Sequence, residues 1–128
     1  MSTFTPLERA ALNAIVRETP EFRTALERQI SSAKVQSREN TGGGFFVDLE
    51  VHLDIEGVIG DKGPFGKSVY IGVEGLEYGL GAILFVKDGR LSLLEGYAVG
   101  AEDTSSVDFT DVEFAIIEEP GPLTLNGG

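Results

Sequence analysis

The sequence predicts an α+β domain, with two N-terminal helices packed on a mainly antiparallel sheet of about five strands. Three patterns carry that expectation. Apolar residues recur at helical spacing over residues 6–34, they alternate at strand spacing from residue 44 onward, and Asp88-Gly89 separates two apolar runs.

The first helix is expected over about residues 6–18. Thr5-Pro6-Leu7-Glu8 offers a capping hydroxyl, proline at the first helical position and a glutamate three residues after the cap. Leu7, Ala11, Ala14 and Ile15 then form an apolar stripe. Thr19-Pro20 repeats the start signal, and Phe22, Ala25, Leu26, Ile30 and Ala33 mark a second helix over about 20–34. A polar stretch from Lys34 to Thr41 reads as a connector to Gly42-Gly43-Gly44.

From there the period changes to two. Phe45, Val47, Leu49, Val51, Leu53 and Ile55 alternate with Asp48, Glu50, His52, Asp54 and Glu56, which predicts a long strand over about 44–56 with one acidic face. Further strands are expected over about 68–74, 80–87, 90–99 and 107–118. A two-residue turn at Asp88-Gly89 would set Val86 opposite Leu91, Leu84 opposite Leu93, Ala82 opposite Glu95 and Leu80 opposite Tyr97. A bulge at Leu93-Leu94 is the device expected to shift that register. Ile83, Phe85 and Leu94 would make the second face of this hairpin apolar too, so a cover for it is expected, either from this chain or from another protein. With 128 residues, the chain is expected to form a single domain, with the Gly- and Pro-rich residues 120–128 as a flexible tail.

Charge narrows the function classes. The net charge is −11. Residues 1–40 carry six basic and five acidic side chains, whereas residues 41–128 carry four basic and sixteen acidic ones. The acidity therefore belongs to the sheet half. Such a surface repels phosphate backbones, so no nucleic-acid partner is expected. It could steer the chain toward a basic protein partner, but the plainer reading of the acidity is that it keeps the protein in solution. The longest apolar run, Leu80 to Val86, is interrupted by Gly81 and is too short to span a bilayer, so no membrane association is expected. The N-terminus has neither a basic n-region nor an apolar h-region, and a cytoplasmic protein is expected. Without cysteine there are no disulfides, thiolate metal sites or thiol nucleophiles.

Motif by motif, chemistry finds little footing, and no cofactor is expected. Gly60 to Ser68 ends in the Gly-Lys-Ser of a phosphate-binding loop, but five residues separate Gly60 from Gly66 where the motif needs four, and strand-forming residues follow. Glu50, His52 and Asp54 share one strand face and could contribute to a metal site, yet the chain has a single histidine and no paired-histidine motif. A serine-hydrolase elbow does not occur. Glu95, beside Tyr97 in what should be a central strand, is the most interesting carboxylate: pointing inward, it would have its pKa raised by burial as in many functional acids. The favoured expectation is instead that it pairs with an arginine or Tyr97 or lies at the strand's wet end.

The stretch from Gly81 to Tyr97 resembles small uncharacterised bacterial proteins with a Leu-Phe-Val-x-Asp-Gly-x-Leu-x-x-Leu-Glu hairpin. Thr41-Gly42 with Gly44-Phe45 is similar to the entry to their first strand. The resemblance implies a bacterial origin and a compact α+β fold, and no activity.

The favoured reading is a non-enzymatic protein-interaction module. It would form a homodimer or bind a basic protein partner, in the manner of an acidic inhibitor or immunity-type protein. The alternative is a small-molecule or metal-binding protein, or an enzyme, using Glu95, Tyr97, Glu50, His52 and Asp54.

Overall fold

A computed structural model describes residues 4–51, 59 and 63–123 of the chain. Two helices, α1 (Pro6–Glu18) and α2 (Arg23–Ser32), precede six strands: β1 (Lys34–Asn40), β2 (Gly44–Glu50), β3 (Tyr70–Val73), β4 (Leu80–Lys87), β5 (Arg90–Ala98) and β6 (Phe114–Ile117). The strands form one antiparallel sheet in the order β1-β2-β5-β4-β3-β6.

The helix starts follow local chemistry. The Glu8 amide donates to the Thr5 hydroxyl (3.1 Å) and the Thr5 amide to the Glu8 carboxylate (3.0 Å), a complete capping box with Pro6 in the first turn. Thr19 behaves differently. Its hydroxyl donates backward to the Ile15 carbonyl (3.0 Å), so it caps nothing ahead of it. A single 3-10 turn, Pro20–Phe22, comes first, and α2 begins only at Arg23.

Six strands form where five were expected. The additional one is β1, the polar stretch read as a connector. Only Val35 of its seven residues is buried, because it is an edge strand and need not alternate. The strand expected over 44–56 is seen as β2 to Glu50, and residues 52–58 lie outside the described residues. The strand expected over 107–118 is confined to β6. Asp108 captures the preceding residues in a turn, its carboxylate accepting from the Thr110 amide (3.0 Å) and its carbonyl from the Val112 amide (2.9 Å).

The hairpin register also differs from the expectation. The turn is as read, with Asp88 and Gly89 both at positive φ (53° and 77°) and Val86 opposite Leu91. An irregularity then falls between Phe85 and Val86, so that Leu84 meets Leu94, Ile83 meets Glu95, Ala82 meets Gly96, Gly81 meets Tyr97 and Leu80 meets Ala98. The extra residue is Ser92, one position before the expected bulge. Its hydroxyl donates to the Phe85 carbonyl (3.3 Å).

Both helices pack on one face of the sheet. Leu7, Leu12, Ile15 and Leu26 share a core with Val47, Leu80, Leu84, Leu91 and Leu94, all essentially inaccessible to solvent. Inside this core lies Gln29, fully buried. Its amide donates to the Gly89 carbonyl (3.0 Å) and accepts from the Leu91 amide (2.9 Å), clamping the hairpin turn to α2. The start of the expected tail is fastened as well. The Gly121 amide donates to the Tyr78 carbonyl (3.1 Å).

Candidate functional site

The residues of greatest chemical interest lie on the other face. Leu80, Ala82 and Leu84 are buried against the helices, so Gly81, Ile83 and Phe85 project from the opposite side of β4. Register then arranges three rows across the outer face. One runs Glu39, Phe46, Glu95, Ile83; the next Ser37, Asp48, Leu93, Phe85; the third Gly44, Tyr97, Gly81, Tyr70, Ile117. Phe46 is 36% exposed, and Ile83, Phe85, Leu93, Tyr97, Tyr70 and Ile117 are half-buried. Among the described residues, no helix or further strand lies over this face. The chain does approach it at β3, where a Cβ added to Gly72 would lie 3.0 Å from the Leu123 Cα, and beside Ile83, which shares a cleft with Pro64 and Phe65.

Tyr97 owes its placement to a glycine. A side chain at Gly81 would overlap the Tyr97 ring, so the ring lies flat across the strand in the space that Gly81 leaves open. That brings Tyr97 between Tyr70 and Glu95. Burial pushes the Tyr97 phenol up from its ordinary value, and the neighbouring Tyr70 and the Glu95 charge push the same way. Glu95 itself does not point into the core. It stands half-buried on the outer face between Phe46 and Ile83.

Glu50 is exposed at the end of β2, opposite Lys34 and on the same outer face as Asp48. His52 and Asp54, its expected companions, lie outside the described residues. No group of three or more metal-ligating side chains occurs among the described residues. Of the five site residues expected from sequence, the fold thus brings Glu95 and Tyr97 together in adjacent rows and sets Glu50 apart at the strand's end.

Several carboxylates that look available in the sequence are committed to structure. Glu18 accepts from the Lys67 and Ser68 amides (2.8 and 2.9 Å), so the chain's own carboxylate occupies the amide pair of the apparent Gly-Lys-Ser motif. Glu102 does the same for the Glu77 and Tyr78 amides (2.7 and 2.9 Å). Buried Glu8 receives Arg38 in a bidentate pair, Nε to Oε2 at 2.7 Å and a second guanidinium nitrogen to Oε1 at 3.0 Å, and the hydrogen bond raises the Arg38 pKa further. A cleft of about 190 Å³ opens beside that pair, walled by Phe45, Val107 and Phe109. These partners were not foreseeable, because nothing local in Glu18, Glu102 or Gln29 announces a mate dozens of residues away.

Compared with family models, with curated proteins and with solved structures, the chain matches none.

Proposed function

We propose that the chain is a non-enzymatic protein-interaction module whose outer sheet face docks a basic partner. One observation carries this reading: exposed Phe46 and half-buried Ile83, Phe85, Leu93 and Tyr97 form a contiguous apolar patch with the carboxylates Glu39, Asp48 and Glu95 set among them. Apolar side chains supply burial, and the acids select the sign of what they bury against. A second copy of this chain is a poorer fit, since it would bring the same acids against each other and double a charge of −11. Basic groups on this side, Lys34, Lys87 and Arg90, lie toward the hairpin-turn end of the sheet, beyond the row of Asp48 and farther from Glu39. An acidic inhibitor or immunity-type protein works in this way, by covering a basic functional surface.

Photo-crosslinking in the native cell tests the surface. A photoreactive residue at Phe46 or Phe85 should capture a basic protein, and one at exposed Arg28 on α2 should not. Glu95→Lys combined with Asp48→Lys should weaken binding of the captured protein at least about tenfold at low salt. Crosslinks only to a second copy, or equal binding by the charge-reversed variant, would overturn the reading.

A further inference from the structure

We propose that the outer edge of β6 is a strand-addition site for an extended segment of a basic partner, apolar at its centre and carrying Lys or Arg on its flanks. The sheet is open, with β1 at one edge and β6 at the other. The two edges are protected very differently. β1 is seven residues long, exposed at all but Val35, charged at Lys34, Arg38 and Glu39, and irregular between Val35 and Ser37. Charge and a bulge are devices that keep an edge from pairing further, as is short length, which at four residues is the one of these that β6 itself has. β6, by contrast, reads Phe-Ala-Ile-Ile, and Ile116 is 37% exposed.

The ladder shows which backbone groups that edge presents. The Glu74 amide donates to the Glu113 carbonyl (3.0 Å), and β3 continues in register from Val73 opposite Phe114 to Tyr70 opposite Ile117. Bonded pairs alternate in an antiparallel ladder, so Gly72–Ala115 and Tyr70–Ile117 are the next bonded pairs. The amides and carbonyls of Phe114 and Ile116 are thereby directed away from β3, and no described strand pairs with them. They set out two donors and two acceptors at the spacing an added strand requires.

Charge decides the occupant. Glu113 precedes the strand, Glu118 and Glu119 follow it, and Pro120 ends it. An antiparallel second copy would bring Glu113 of one chain alongside Glu118 and Glu119 of the other, a repulsive arrangement. A segment with basic flanks meets the same carboxylates favourably. Only the sign of the partner's charge is shared with the outer-face reading; the surface and the mode of contact are separate.

The test uses the full chain and a synthetic peptide, Lys-Lys-Thr-Val-Thr-Val-Thr-Lys-Lys, followed by amide exchange in NMR. Saturating peptide should protect the Phe114 and Ile116 amides and change Ala115 and Ile117 little. A Glu-flanked peptide should bind at least about tenfold more weakly, and N-methylation of alternate peptide amides should abolish binding without touching the protein. Ile116→Pro removes an outward amide and should do the same, whereas Glu95→Lys should leave the peptide bound. Unchanged exchange at Phe114 and Ile116, or equal binding by the N-methylated peptide, overturns the assignment. Loss of binding only in Glu95→Lys overturns it too, by moving the peptide to the outer face. Protection of the same amides that rises with protein concentration, without peptide, overturns the basic occupant in favour of a second copy.

Discussion

The two faces of the sheet are built from the same strands, yet only one is closed. On β4 and β5, Leu84 and Leu94 face each other beneath the helices at 0% exposure, while one residue away Ile83 and Glu95 stand half-buried on the outside. Both faces are rich in apolar side chains. They differ in polar content: the inner side admits Gln29 with both its amide functions engaged on the hairpin and Glu8 with Arg38 paired to it, whereas the outer face carries Glu39, Asp48 and Glu95 in its rows. A carboxylate tolerates half-burial beside water far more readily than enclosure. The acids therefore mark the face that stays open to water.

That contrast can be broken from the inside first. Leu94→Ala should cost about 2–5 kcal/mol in urea unfolding, because it removes a fully buried side chain at the centre of the sheet. The outer-face substitution Leu93→Ser should cost about 1 kcal/mol or less. Equal losses at the two positions would mean that the outer face is as enclosed as the inner.

Gln29→Ala comes next. It strands the Leu91 amide inside the core and leaves the Gly89 carbonyl to the Ile59 amide (3.1 Å), and a loss of about 1–3 kcal/mol is expected, with faster amide exchange at Leu91. Unaltered exchange at Leu91 would show that the turn holds without its clamp.

The smallest effect sharpens the outer face by pH. The fold raises the Tyr97 pKa, chiefly by burial, so folding favours the neutral phenol. The stability this provides is fully present below the ordinary tyrosine pKa, about 10, and is lost as pH rises through the raised value. Tyr97→Phe should therefore lose less stability than the native chain between neutral pH and pH above about 10. Identical alkaline slopes would place Tyr97 in ordinary solvent.

Much of the fold was legible because its signals are local. Thr5 and Glu8 are three residues apart, and the Asp88-Gly89 turn needs only its own two residues to demand positive φ. The register failed where local pattern was ambiguous. Leu93-Leu94 offers two leucines for one inward position, and only Leu84 across the strand pair selects Leu94. β1 was missed because a polar edge strand has no period to read. In the candidate site, Glu95 and Tyr97 stood out as residue types, but their side of the sheet depended on that same register.

By itself, the sequence determined the fold class, the two helices, the hairpin turn and the concentration of acid in the sheet half. Each depends on residues close in the chain or on composition alone. Only the tertiary structure decided that Ser92 is the bulge, that Gln29 clamps the turn, that Glu18 occupies the Lys67 and Ser68 amides, and that Glu95 faces outward. Each of those depends on a partner brought near by packing, at a distance along the chain that no local pattern encodes.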